Sequence, residues 1–274
     1  MPRLALLLTT VIWGATFPAT KAALEQITPL SFLLLRFLIG TLLISLWFMV
    51  GRRRLHHDRA VLEASAITTV FLFFGYLLQT VGLEHTTASN SAFLTALYVI
   101  FVPLILLRID RRVVVATVIA IIGLWLLVKP DASMNLGDLM TLGCAGAFAG
   151  HIVCLERFTR QVDAPSLLVW QMVAMSVLFL PAPWWEGTTQ HAFLPTPVLL
   201  IGLGVTGVLA TLAFAVQMWA QQLVPAQQVA LLFASEPAYA AWLSWYFLGE
   251  TLDVQGWIGS ALILLAVVIG AFGS

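Results

Sequence analysis

Apolar runs of about twenty residues recur along the whole of this 274-residue chain, broken only by short polar punctuation. At 1.5 Å per residue such a run crosses the ~30 Å hydrocarbon core of a bilayer. No feature narrows the fold more, because inside lipid every backbone amide must be paired within its own helix or within a closed barrel. The runs have helical lengths and predict an all-α integral membrane protein. Composition agrees, with 61% hydrophobic and 9% charged residues where a soluble domain carries about a quarter charged. The first run reads as a true span, not a cleaved secretory signal: it contains Trp13, Pro18 and Lys21, and no small-x-small site precedes a polar start. Cys144 and Cys154 share one run without metal-ligand spacing and read as inert small hydrophobes.

Ten spans are predicted, at about 4–24, 30–50, 62–83, 88–107, 113–129, 137–156, 165–183, 197–220, 226–247 and 254–272. The short loops between them make sequential helices antiparallel neighbours. With the N terminus in the cytoplasm, Arg3, Arg52, Arg53, Arg54, Arg59, Arg108, Arg111, Arg112, Arg157 and Arg160 all fall inside, ten of the thirteen basic residues. The positive-inside rule therefore predicts that both termini are cytoplasmic.

The two halves resemble each other. At an offset of 135, residues 27–40 run beside 162–175, pairing Ser31 with Ser166 and Arg36 with Gln171, and 13–24 run beside 148–159. At an offset of 138, residues 75–94 run beside 213–232, pairing Gln79 with Gln217. The basic loops 51–61 and 108–112 correspond to loops carrying Glu186 and Glu250 with Asp253. Five spans per half force the second copy to enter the membrane upside down, as those charges require. The expectation is two inverted five-helix repeats, 1–134 and 135–274, around a central cavity near the bilayer midplane.

WGATFPATKAAL (13–24), RFLIG (36–40), Pro237 followed by Gly249 and Glu250, and WIGSALILLAVV from Trp257 together resemble the EamA branch of the drug/metabolite transporter superfamily. The resemblance covers essentially the whole chain. It implies a basket of ten helices with helices 1, 3, 4, 6, 8 and 9 lining the cavity. It leans towards the amino-acid exporters of that branch, the YddG type among them. One departure is that the first half has IDRR (109–112) where the second has the Gly-Glu pair.

Polar groups within spans are costly and mark function or helix contacts. Glu236 lies ten residues into the ninth span, about 15 Å deep, next to Pro237, which cannot donate to the carbonyl of Phe233. It reads either as a proton-coupling or substrate-amine site, or as a kink whose carboxyl bonds a neighbouring helix. His151 sits near Gly143, Gly146 and Gly150 and reads either as a proton carrier or as a single structural hydrogen bond. Gln79 and Gln217 are uncharged amides suited to a zwitterion, or else interhelical glue worth about 0.6 kcal/mol per bond. Asn90, Ser91, Thr95 and Tyr98 stripe the fourth span, and Trp13, Thr16 and Thr20 the first. Trp13, Tyr76, Tyr98 and Tyr239 would favour apolar or aromatic side chains and could cap an amine. The candidate cavity residues are therefore Trp13, Thr16, Tyr76, Gln79, Asn90, Thr95, Tyr98, His151, Gln217, Glu236 and Tyr239. Trp184, Trp185 and Trp257 read as interfacial belt residues, and Glu250 as a cap or loop anchor. Arg36, about 9 Å into the second span, could grip a carboxylate, but the favoured reading is structural, by snorkelling outward or pairing with Glu25.

The leading function is a secondary transporter that exports small amphipathic metabolites, amino acids first, by alternating access across the plasma (inner) membrane of a bacterium. Its expected partners are a small-molecule substrate, the lipid bilayer and protons as a candidate coupling ion, with no cofactor, no nucleic acid and a workable monomer. The alternative within transport is a multidrug or nucleotide-sugar carrier, the latter disfavoured by the scarcity of interior cations. Nothing resembles a nucleotide-binding loop or a catalytic cluster, which argues against ATP drive and against an enzyme. The lack of a charge ring or carbonyl filter argues against a channel.

Overall fold

A computed structural model of the protein describes residues 1–107, 110–128, 134–187, 195–248 and 253–272. Arg108, Lys129 and the Gly249–Glu250 pair lie outside these. In chain order the helices are α1 (Pro2–Ala23), α2 (Pro29–Val50), α3 (Arg59–His85), α4 (Ala88–Ala96), α5 (Tyr98–Leu106), α6 (Arg111–Val128) and α7 (Leu136–Phe158). They continue as α8 (Ala164–Phe179), α9 (Ala182–Trp185), α10 (Pro197–Leu203), α11 (Ala210–Gln221), α12 (Ala226–Phe233), α13 (Glu236–Leu248) and α14 (Val254–Val267). No strand occurs among the described residues. Eight helical stretches among them are long and apolar enough to cross a membrane, counting Ala88–Leu106, Ala164–Trp185 and Pro197–Gln221 as single stretches.

Local signals in the sequence set the helix starts. The side chains of Asp58, Thr87, Asp163, Thr196 and Asp253 each accept a backbone N–H three residues on, and Asn135 with Asp138 forms a full capping box. Three segments expected to be continuous break, the seventh among them at Leu180 and Pro181 between α8 and α9, and two turn π-helical, the tenth over Val268–Phe272. The fourth breaks at Leu97, whose N–H tightens to the carbonyl of Leu94 (3.2 Å). The ninth breaks at Ala234 and Ser235, where Ser235 N–H turns back to Leu232 (3.2 Å) just before the proline that cannot donate. The eighth contains a π-helical stretch, Gly204–Leu209. The third is longer than expected at both ends, Arg59–His85, and starts early because Asp58 supplies a cap ahead of Arg59.

Small residues let the helices approach closely. A Cβ added to Gly75 would come within 2.5 Å of the Phe148 ring, and one added to Gly150 within 2.5 Å of Phe71, so α3 and α7 interlock along their length. At Gly14, α1 passes so near α13 that a Cβ would meet the Glu236 carbonyl oxygen at 2.9 Å. Two contacts join residues at matching places in the halves. Thr41 Oγ1 and Ser176 Oγ hydrogen-bond across α2 and α8 at 2.9 Å. Gly123 and Gly259 face each other where α6 crosses α14, each Cβ position blocked by the other's carbonyl oxygen. The pairs are 135 and 136 residues apart. Likewise α1 packs on α11 as α7 packs on α3, and α1 meets α12 and α13 as α7 meets α5 and α4.

Both ends of the bundle are tied by polar side chains. At the end holding residue 1, Arg3 Nε donates to Gln228 (3.0 Å), Glu156 accepts from Ala226 N–H (3.0 Å), and Trp170 Nε1 donates to the His56 carbonyl (2.9 Å). At the other end, Lys21 Nζ donates to the carbonyls of Leu83 (2.6 Å) and Thr86 (3.0 Å), and Thr86 donates to Asp138 (2.5 Å). Glu186 caps α2 there by accepting from Thr28 Oγ1, Leu30 N–H and both donors of Ser31, at 2.5–2.9 Å. Thr196 hydrogen-bonds Gln26 alongside.

Candidate substrate cavity

Two of the interruptions fall beside one cavity. Leu97 separates the lining residues Thr95 and Tyr98, and Ala234 and Ser235 separate Phe233 and Glu236. A helix broken at depth is tolerated where it borders a cavity, because the backbone groups freed by the break need polar neighbours or water. About 50 Å³ of the space is open to the centre of a water-sized sphere.

Fourteen residues line it: Trp13, Thr16, Phe17, Tyr76, Gln79, Thr95, Tyr98, Phe148, His151, Ile152, Phe214, Gln217, Phe233 and Glu236. They come from α1, α3, α4, α5, α7, α11, α12 and α13, which are the six regions that the family resemblance assigns to the cavity. Nine of the eleven residues singled out in the sequence are brought together here. Asn90 and Tyr239 are not. Asn90 stands at the start of α4, where its N–H donates to the cap residue Thr87 (3.1 Å), well away from the break at Leu97. Tyr239, three residues past Glu236, turns instead to α1, where it meets Thr10.

The wall has an internal regularity. At the two offsets found in the sequence, all fourteen residues form seven mates: Trp13 with Phe148, Thr16 with His151, Phe17 with Ile152, Tyr76 with Phe214, Gln79 with Gln217, Thr95 with Phe233, and Tyr98 with Glu236. Four aromatics form a chain across the middle. Trp13 meets Phe214 edge-on at 4.7 Å, its mate Phe148 meets Tyr76 at 5.3 Å, and Tyr76 meets Phe214 at 6.2 Å. Sequence reasoning missed Phe17, Phe148, Ile152, Phe214 and Phe233 because bulky apolar residues look like ordinary core. Each is nonetheless the mate of a residue on the wall, so applying the offsets to the selected candidates would have found Phe148, Phe214 and Phe233, three of the five.

Polar chemistry is unevenly distributed over this symmetric frame. Among the described residues Glu236 is the only carboxyl on the wall, and it is buried. The Tyr98 hydroxyl stands against its carboxyl and interacts with it, whereas Trp13 Nε1 is buried without a hydrogen-bond partner. Gln79 Nε2 donates to Thr95 (3.2 Å), Gln217 Nε2 to Gln221 (2.8 Å), and Gln221 Nε2 to the carbonyl of Ile152 (2.9 Å). His151 Nε2 hydrogen-bonds the Gln171 side-chain amide at 3.0 Å. Cys144 is buried beside Thr95 and Cys154 is half-buried, both as free thiols. Arg36 neither snorkels nor pairs with Glu25. It is 4% exposed, and its guanidinium stacks 4.2 Å from the ring centre of Tyr76.

A buried unpartnered donor costs about 1–3 kcal/mol, and Trp13 Nε1 stands on one wall with a carboxyl and four aromatic rings, a lining of mixed polar and apolar chemistry. Comparison with known proteins agrees with a membrane-transport role. An uncharacterized transporter of Archaeoglobus fulgidus is 33% identical over 97% of this chain and 84% of its own length. The uncharacterized transporter YwfM of Bacillus subtilis is 29% identical over 97% and 92%. The threonine/homoserine exporter RhtA of Salmonella typhimurium is 29% identical over 57% of this chain and 52% of its own. A crystal structure with 15% sequence identity superposes over 100% of this chain and 99% of the other with a TM-score of 0.80, which shows a shared fold. The profile of the EamA-like transporter family matches residues 2–129 and again residues 135–271, and the chain belongs to that family of multi-pass membrane transporters.

Proposed function

We propose that the protein is a secondary-active transporter that exports small amphipathic metabolites, with amino acids, including aromatic and hydrophobic ones, as its substrates. It works by alternating access across the plasma membrane. In this reading ten spans form two inverted five-helix repeats, 1–134 and 135–274, with both termini in the cytoplasm. The observation that carries it is the cavity wall of seven mated pairs, since a site shared equally by two halves is the site that rocking one half against the other would expose to each side in turn. The doubled family match, the Thr41–Ser176 and Gly123–Gly259 contacts and the exchangeable helix packing support the same architecture. The concentration of basic residues at the end holding residue 1 supports the orientation.

Glu236 serves as the anchor for a substrate amine or as the carrier of a coupling proton. The aromatic chain from Trp13 to Phe148 accommodates the side chain and can hold an ammonium by cation–π attraction, worth about 2 kcal/mol in a dry site. The test is uptake of radiolabelled threonine and phenylalanine into proteoliposomes, with and without an imposed proton gradient, by wild type and Glu236→Gln. Saturable uptake by wild type and at least a tenfold loss in the variant are expected. Absence of flux for every amino acid by folded protein would overturn the substrate assignment and favour an apolar cation, which the aromatic rings and single carboxyl would also suit.

A further inference from the structure

Arg36 presents an unexplained charge. It lies in the middle stretch of α2, buried, and its Nε has no hydrogen-bond partner. No carboxylate among the described residues forms an ion pair with it. Among the described residues its compensation comes from two rings and one phenol: the guanidinium lies 4.2 Å from the ring centre of Tyr76, whose hydroxyl also interacts with it, and 5.0 Å from that of Phe37. Burying an ion costs several kcal/mol and is ordinarily offset by an opposite charge with good geometry, which stacking on two rings does not replace.

The neighbouring residues show where an anion would come from. Tyr76 is part of the cavity wall but Arg36 is not, so the phenol ring separates the guanidinium from the cavity. The same phenol interacts electrostatically with both Arg36 and Glu236. A buried guanidinium and a buried carboxyl therefore flank one tyrosine, the first stacked on its ring and the second on the same cavity wall. The mates of these charges are uncharged: Gln171 for Arg36 and Tyr98 for Glu236. The two halves thus place one guanidinium and one carboxyl about a site whose lining residues otherwise pair at the two offsets.

We propose that Arg36 receives the carboxylate of a zwitterionic substrate whose ammonium is held by Glu236, with the Tyr76 side chain swinging off the guanidinium as the carboxylate arrives. The planar fork of arginine suits a carboxylate bidentately, and the exchange replaces a cation–π contact with a full ion pair. This assignment rests on the amino-acid reading above and specifies which group recognises which end of the substrate. Arg36 becomes a specificity-determining residue, sitting behind the wall until the substrate binds.

The experiment measures proteoliposome transport of L-threonine and L-phenylalanine, each against its own carboxamide, which keeps the ammonium and lacks the carboxylate. Wild type, Arg36→Gln and Arg36→Lys are compared. Wild type is expected to prefer the amino acid. In Arg36→Gln the KM for the amino acid rises about tenfold or more, the loss expected for a charge-assisted hydrogen bond, while the KM for the carboxamide stays within about twofold. Arg36→Lys, which keeps the charge without the fork, falls between the two. Because the readout is a ratio of two substrates on one protein preparation, a general loss of folded protein does not imitate it. Equal changes for amino acid and carboxamide, or none for either, would overturn the role of Arg36 while leaving amino-acid transport standing. No transport of either amino acid by wild type would overturn both.

Discussion

Replacing Gly123 with alanine tests the crossing between α6 and α14. The new Cβ would sit 2.7 Å from the Gly259 carbonyl oxygen, 2.9 Å from Ile263 Cγ1 and 3.0 Å from the Ile263 nitrogen. Two of the three obstacles are backbone, which cannot rotate aside, so the helices must separate by roughly 0.6 Å to reach normal contact. Overpacking of this kind costs about 1–3 kcal/mol, and the rigid obstacles place Gly123→Ala in the upper half of that range. Gly259→Ala meets the Gly123 carbonyl at 2.5 Å and is expected to cost as much. Once one methyl has parted the helices the second finds room, so the double variant should cost about 1–2 kcal/mol less than the sum. Gly146→Ala is the control, since nothing lies within 4 Å of its Cβ position, and it should be neutral or stabilising by up to about 1 kcal/mol. The assay is equilibrium unfolding of purified protein in mixed micelles titrated with SDS. A Gly123→Ala variant as stable as Gly146→Ala, or strictly additive costs at the two glycines, would refute the reasoning.

Trp13→Phe keeps the edge-on contact with Phe214 but removes the unpartnered Nε1; stability should hold or rise by up to about 1 kcal/mol, while the KM for a transported amino acid rises several-fold. A fall in stability with unchanged KM would assign that nitrogen a structural role. Glu186→Ala removes the acceptor of four hydrogen bonds at the start of α2 and should cost about 2–4 kcal/mol of unfolding free energy. Glu186→Gln, which keeps one acceptor oxygen, should cost about half as much, and equal stability of both variants to wild type would contradict the cap.

Eight of the expected spans were legible in the sequence because a membrane permits so few alternatives, and their punctuation by Asp58, Asp163 and Asp253 is local chemistry that any sequence displays. Their interruptions were less legible. Pro237 announced a defect in the ninth span, but the break falls at Ala234 and Ser235 because the tightened turn precedes the proline, and nothing at Leu97 marks the break in the fourth. For the cavity, polar residues at depth stood out against an apolar background, so nine of the eleven selected residues line it. Asn90 was misplaced because a polar residue one turn into a helix can equally serve the helix start, and Tyr239 because the stagger of α13 against α1 at Gly14 is a tertiary fact. The isolation of Arg36 was hidden for the same reason: a sequence records that Glu25 is nearby but not that the guanidinium turns inward to Tyr76.

Alternating access is tested most directly by asking from which side a cavity residue can be reached. Gln217, on the wall of the cavity, is replaced by cysteine in a protein whose Cys144 and Cys154 have been changed to alanine. Membrane-impermeant maleimide is then applied separately to right-side-out and inside-out vesicles, with and without saturating threonine or phenylalanine. The account predicts labelling from either face and protection by a transported amino acid in both cases. Labelling from one face alone, or labelling that no substrate reduces, would contradict it.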